Sequence, residues 1–399
     1  MTIFIVIIIL ILCIIFSTAS YYKAEPYTNN YTQEETAIVE TMDQDINIED
    51  FSSYTGSEYE ITDHSPVETT EITTQEETDL EYQDPYIVIE SALRKRESSV
   101  KVLVDHDISL TWSDLYAMSY GSFWVSKFGT TGTYYDNGSL YQDFHFTYYD
   151  LTDEEIESMR REIDDVVNGI ISQTPTTSEY DACLYVHDEL ARICTYDHSF
   201  ENPHIHDLYG ALVLGSAVCS GYSSAYCHIL RQLGLETQIV SSDTHSWNKI
   251  GESYVDPTWN DLDRVTDNTG EALISHYWFG VSKEQVELEE HHKIVAYSYN
   301  SEFNEYTLPN YFETEGYILD SYDYDSAKTI FYDQYSNGEV FPTIAFSNEE
   351  AYSEFLDDME SDFWPVLLEM GYDGDYFEYY RREDLMTWSF ALSTTTELD

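Results

Sequence analysis

Three residues carry the clearest chemical potential in the sequence: Cys219, His245 and Asp256. A thiol becomes a nucleophile when it loses its proton. A histidine within hydrogen-bond reach can take that proton, and a carboxylate on the other ring nitrogen fixes the tautomer that does so. Cys219 stands in Gly215-Ser216-Ala217-Val218-Cys219-Ser220-Gly221-Tyr222, where the small residues and Gly221 suit a tight entry into a helix. On a first helical turn the thiol would feel the positive end of the macrodipole, which favours thiolate. Backbone N–H groups there, that of Cys219 first, could face a developing oxyanion. A lone cysteine is more commonly a buried structural residue, so its partners must decide the reading.

Those partners lie on what reads as two antiparallel strands turning at Gly251-Glu252. A two-residue turn pairs Ile250 with Ser253, Asn248 with Val255 and Trp247 with Asp256. Side chains alternate faces along a strand, so His245, Trp247 and Asp256 share one face. His245 and Asp256 then become diagonal neighbours within reach of each other. A shift of one residue in register would separate them.

The surrounding elements follow from periodicity and capping. Tyr86 opens the folded part, with a short helix through Ala92 and a strand from Val100 to Val104. Asn137-Gly138 reads as a hairpin turn. Thr152 with Glu155 reads as a capping box, followed by an apolar stripe of Ile156, Met159, Ile163, Val166 and Val167. A second helix runs from about Ser178 to Ile193, and a third from about Cys219 to Leu233, ended by Gly234. Strands follow at Thr237 to Ser241, His245 to Ile250 and Ser253 to Asp256. Further on, a strand from Val340 to Phe346 leads to a helix capped by Ser347 with Glu350, carrying Tyr352, Phe355, Met359, Phe363 and Val366.

Rival chemistry is weaker. His204-Ile205-His206-Asp207 and His291-His292 offer zinc-type ligands, but H-E-x-x-H is absent. Asp320, Asp323 and Asp325, or Asp373 and Asp375 with Glu378, do not match the twelve-residue calcium loop. The expectation is therefore no metal and no cofactor. Cys219 and Cys227 lie about 12 Å apart along one helix, too far to bond to each other. A bridge from Cys183 or Cys194 to Cys227 stays open.

Cys219-Ser220-Gly221-Tyr222, His245-Ser246-Trp247-Asn248 and Asp256-Pro257-Thr258-Trp259-Asn260-Asp261 together resemble the three motif blocks of the transglutaminase-like superfamily, in its order of Cys, His, Asp. Tyr209-Gly210-Ala211-Leu212 resembles the element before the Cys block, and His276-Tyr277-Trp278-Phe279-Gly280 the strand that follows. The resemblance covers about residues 178 to 295. It implies an α+β fold: a papain-like core in which a helix bearing the cysteine packs on an antiparallel sheet bearing His and Asp. A small α+β C-terminal domain would follow. It also implies thiol chemistry through an acyl-enzyme, with Tyr209 as a second oxyanion candidate and with Trp247 and Trp259 lining the acyl tunnel or packing the core.

Composition sets the outer bounds. Of 399 residues, 76 are Asp or Glu and 17 are Lys or Arg, giving a formal net charge of -59. Such a surface repels phosphate backbones and anionic lipid heads, which argues against nucleic acid as a partner. The 37 tyrosines supply amphipathic surface, for packing or for a polymeric ligand. Residues 3 to 16 form an apolar run followed by Ser17-Thr18-Ala19-Ser20, the pattern of a signal peptide or membrane anchor over residues 1–20. An acidic, Thr- and Glu-rich tether is expected over 21–85. An N-terminal α+β segment (86–176), a catalytic core (177–298) and an acidic accessory domain (299–399) would complete the chain. The expected protein lies outside the cytosol, secreted or anchored, and meets the membrane only through its N-terminal segment. The resemblance implies that it would be a cysteine peptidase, amidase or crosslinking acyltransferase. Its substrate would be a peptide or protein, cell-wall peptide among the candidates. The competing expectation is a catalytically silent binding or scaffolding module at the cell surface.

Overall fold

Capping side chains set where the helices begin. The computed structural model describes residues 83–118, 124–266, 272–299, 306–360, 363–372, 377–392 and 395–396. Asp84 caps α1 (Pro85–Arg94), accepting from the Tyr86 N–H. Thr111 and Asp114 form a capping box on α2 (Trp112–Ala117). Thr152 and Glu155 form another on α3 (Asp153–Gln173), and Ser178 caps α4 (Glu179–Ile193). Each cap satisfies N–H groups that a first turn leaves without an intrahelical partner. The expected signal segment, nearly all of the expected tether, and Asp373 and Asp375 lie outside the described residues. Among the described residues no helix is long and apolar enough to cross a membrane.

The chain divides into two compact units. One gathers the described residues up to Trp259 together with Gly280–Leu308. The other gathers Asn260–Phe279 and the described residues from Pro309 onward. In the first unit, β1 (Ser99–Leu103), β2 (Val125–Thr130) and β3 (Tyr134–Asp136) all pair antiparallel with a long β4 (Ser139–Tyr148). The β3–β4 turn is Asn137-Gly138, since Asp136 pairs with Ser139. Gln142 on β4 is buried, and its amide is satisfied by both the N–H and the carbonyl of Ile108.

After α4, β5 (Thr195–Tyr196) pairs parallel with β6 (Ser216–Ala217), and α5 (Cys219–Gln232) begins at once. A second sheet has the order β10-β9-β8-β7-β11, with β7 (Gln238–Ser241), β8 (Ser246–Ile250), β9 (Ser253–Val255), β10 (Phe279–Val281) and β11 (Ala296–Tyr297). Helix α5 is buried on every side from Ser220 to Leu230, as a helix at the centre of a domain must be. Three neighbours hold it. Asn248 Nδ2 on β8 donates to Ser223 O at 3.0 Å. Tyr226 Oη donates to Cys183 O on α4 at 3.1 Å. Ser224 Oγ donates to Tyr116 O on α2 at 2.8 Å. Val218, at the N-cap, offers no side-chain oxygen, and a missing cap costs about 1 kcal/mol. Burying Tyr222, Tyr226, Ile229 and Leu230, at roughly 1.5–3 kcal/mol per large side chain, outweighs that several-fold. Cys183, Cys194, Cys219 and Cys227 are all unbridged, and the Cys227 thiol donates to Thr237 O.

The second unit is also mixed helix and sheet. Strand Thr343–Phe346 pairs parallel with Ile318–Leu319 and antiparallel with Thr387–Leu392, which in turn pairs with Phe377–Arg382. Phe331, Phe355, Phe363 and Trp388 pack together on it. Three local expectations need correction here. The strand begins at Thr343 rather than Val340, because Pro342 has no N–H to give a ladder. The helix N-cap is Asn348, whose Oδ1 accepts from Ala351 N, while Ser347 Oγ donates instead to Asp320. The expected single helix is two, Glu349–Asp357 and Trp364–Glu369. Pro365 suits the first turn of a new helix, where its missing N–H costs nothing.

Candidate active site

The β8–β9 hairpin has the pairing Asn248 with Val255, Lys249 with Tyr254 and Ile250 with Ser253. Gly251 opens its turn at φ +60°, and a Cβ there would stand 2.1 Å from Tyr306 O. Only glycine fits, and that pins the register. The consequence is a direct contact: His245 Nε2 lies 2.6 Å from Asp256 Oδ2. Asp256 Oδ1 accepts from Thr258 N at 3.0 Å and Trp259 N at 3.1 Å, so the turn after β9 orients the carboxylate from its other side. Trp247 is fully buried and stacks on the His245 ring at 5.7 Å, and Trp259 tilts against it at 5.4 Å.

With Nε2 engaged by Asp256, His245 has Nδ1 left for Cys219, which bears on the imidazole and raises its pKa. Cys219 is half-buried, at the first position of α5. The chain just upstream folds over this helix start. Val218 N donates to Ile205 O at 2.9 Å, and the His206 ring meets Ser220 Oγ at 3.0 Å. A Cβ on Gly221 would come within 2.6 Å of Ala217 Cβ and 2.8 Å of Ile205 O. Glycine at 221 is therefore what lets this loop close on the thiol's helix. Asp207 ties the loop internally, accepting from Tyr209 N, Gly210 N and the His204 ring.

The electrostatics follow from burial and pairing. Burial alone would lower the pKa of His245, but the Asp256 charge and hydrogen bond outweigh it and push the imidazole up to about 10, with Cys219 adding in the same direction. Burial alone would raise the Asp256 carboxyl, but His245, and then His292, hold it well below the usual carboxylate range.

His292 is the member that sequence reasoning did not place. Its Nε2 lies 2.8 Å from the same Asp256 Oδ2, and its side chain is fully buried. In the sequence the His291-His292 pair reads only as a weak metal candidate, and nothing in 36 residues of separation signals the contact. His245, Asp256 and His292 are ligand types whose atoms lie within 4.8 Å of one another. Their N···O separations of 2.6 and 2.8 Å are direct hydrogen bonds. Two ligands on one tetrahedral zinc stand about 3.3 Å apart, so this arrangement is a hydrogen-bonded one.

Other candidates are drawn elsewhere. The Tyr209 hydroxyl donates to Glu162 Oε2 at 2.7 Å, which commits its proton. His204 turns to Asp207 and His206 to Ser220, so the two do not converge. Asp323 caps the helix Tyr324–Ser336 and Asp325 lies 3.6 Å from Lys328. Tyr116 was not anticipated. Burial raises its phenol well above the ordinary value, and the charges of Asp207 and Cys219 add to the rise.

Residues 165–282 match the family model described as the transglutaminase-like superfamily. Among solved structures, the chain is similar to a TGase (15% identity, 40% of this chain and 50% of that one, TM-score 0.23). It is also similar to a Cytophaga hutchinsonii protein provisionally assigned as a cysteine protease (12%, 38% and 70%, TM-score 0.21). A third is menin (14%, 55% and 53%, TM-score 0.25). The chain spans about half the length of the TGase and of menin. No curated protein matches it. That family match spans Cys219, His245 and Asp256.

Proposed function

Residues 165–282 form a transglutaminase-like core, and from that premise we propose a cysteine-nucleophile enzyme acting on peptide or side-chain amide bonds outside the cytosol. The observation that carries the reading is the direct hydrogen bond of His245 to Asp256, with Cys219 on the first turn of α5 bearing on the same imidazole. Cys219 Sγ gives its proton to His245 Nδ1 and attacks the amide carbonyl carbon. The carbonyl oxygen takes the electron pair, with the start of α5 beside it. As the tetrahedral species collapses, the C–N bond breaks and the leaving nitrogen takes the proton from His245. A thioester on Cys219 remains. An acceptor then gives its proton to Nδ1 and attacks the thioester carbonyl; the C–S bond breaks, and Cys219 Sγ takes the proton back from Nδ1. Water as acceptor makes a peptidase or amidase, and a lysine amine makes a crosslinker.

Asp256 serves this cycle by giving the proton on Nδ1 a stable home. It also fixes the tautomer that leaves Nδ1 facing the thiol. Export is supported by the apolar run of residues 3 to 16 with its small-residue border.

The test is to incubate the protein with glutamine-containing peptides and a labelled primary amine, then read intact mass. An acyl adduct on Cys219 that hydroxylamine removes supports the reading, and the ratio of acid to amide product names the acceptor. Absence of any adduct across a broad peptide set, with the fold intact, counts against it.

A further inference from the structure

We infer that His292 is a positioning residue of this same site, the second imidazole that holds Asp256 in line with His245. The inference rests on the reading of Cys219 and His245 given above. Both imidazoles present Nε2 to one oxygen: His245 at 2.6 Å and His292 at 2.8 Å from Asp256 Oδ2. The other oxygen receives two backbone N–H groups. The carboxylate is fully buried, so a lone pair without a donor would carry the full desolvation cost. With four donors it has none to spare, and its plane is fixed.

The placement of His292 is itself over-determined. Its ring packs against His245 at 5.1 Å, Trp247 at 4.9 Å and Trp259 at 4.8 Å. It sits in a single 3-10 turn, Glu290–His292, outside the hairpin that supplies the other two residues. Burial lowers its pKa against the pull of Asp256, and the charge of His245 lowers it further. A neutral donor steadies the carboxylate without cancelling the charge that His245 needs. The charge of Glu289 bears on it as well. Removing the donor frees Oδ2 to swing, and with it the His245 ring whose Nδ1 must meet the thiol.

The experiment is the rate of Cys219 alkylation by iodoacetamide in the full chain, with the label located by peptide mass. It compares the native protein with His245→Ala, His292→Leu and His292→Gln, each checked by circular dichroism. Leu fills the space without donating, whereas Gln restores an N–H at similar reach. A lost hydrogen bond to a charged group predicts that His292→Leu slows the reaction about tenfold. His292→Gln should recover to within about threefold on the same scale. Should His292→Leu fail to fold, His292→Asn replaces it, since its shorter amide cannot reach Asp256, and the same loss is expected. Native reactivity in folded His292→Leu or His292→Asn overturns the inference, as does a folded Gln variant that recovers nothing. If the native protein reacts no faster than His245→Ala, the reading of Cys219 and His245 itself fails, which is a distinct result.

Discussion

His245 Nε2 and Asp256 Oδ2 meet at 2.6 Å across a hairpin, eleven residues apart in the chain. The contact is diagonal across β8 and β9, and it exists only in the register that the Gly251-Glu252 turn enforces. It joins backbone geometry to chemistry, because the same pairing that closes the sheet also sets which imidazole nitrogen faces Cys219.

The first consequence is a pH limit on turnover. The leaving amine needs the proton that His245 carries, and Asp256 pushes that imidazole up to about 10. Amide cleavage should persist into alkaline solution and fall as pH rises through about 10. In Asp256→Asn the charge is gone, and the alkaline limb should move down towards the ordinary histidine value of about 6.5. A pH–rate profile of both proteins on one peptide substrate checks this; an unmoved limb contradicts it.

Stability should show the same pair. The folded value of His245 is raised, so its contribution is full below about pH 6.5 and is lost as pH rises through about 10. The folded value of Asp256 is depressed, so its contribution is present above the ordinary carboxylate value and lost on acidification. The pair therefore stabilises most between those limits. Urea unfolding of Asp256→Asn should show a loss of about 3 kcal/mol near neutrality, in the range for breaking a buried pair, and little difference at either extreme.

Gly221→Ala tests the closure of the loop on α5. Its new Cβ would meet Ala217 Cβ at 2.6 Å and Ile205 O at 2.8 Å. Overpacking of this kind costs about 1–3 kcal/mol, read as a lower unfolding midpoint, and the displaced loop should slow Cys219 alkylation. An unchanged midpoint and rate would show that the loop does not depend on this approach.

The tyrosines separate by partner. Tyr209 spends its hydroxyl on Glu162 at the surface, so Tyr209→Phe should leave peptide turnover within about twofold, as for other exposed polar contacts. Tyr116 is held instead through its carbonyl, which accepts from Ser224 Oγ on α5. Tyr116→Phe keeps that backbone contact and should retain the fold by circular dichroism.

How much of this was legible in the sequence depended on how local the cause was. The Thr152 and Glu155 capping box, the Asn137-Gly138 turn and the β8–β9 register rest on residues within a few positions of each other, and the structure has them as read. His292 escaped because its partner lies 36 residues away and its own segment is a single turn with no periodicity. Tyr116 escaped for the same reason: only the packing of α2 on α5 brings its carbonyl to Ser224. The cap at Asn348 was misplaced by one residue because Ser347 is an equally good capping type, and a tertiary partner, Asp320, drew it away.

The most direct test of the central claim is to alkylate the folded protein at neutral pH and locate the label. Cys183, Cys194 and Cys227 are buried, and Cys219 is half-buried beside His245. The account predicts label on Cys219 first, faster than on a free thiol, and a rate that collapses in His245→Ala while the fold survives. Labelling of Cys219 no faster than a free thiol, or indifferent to His245, would contradict it.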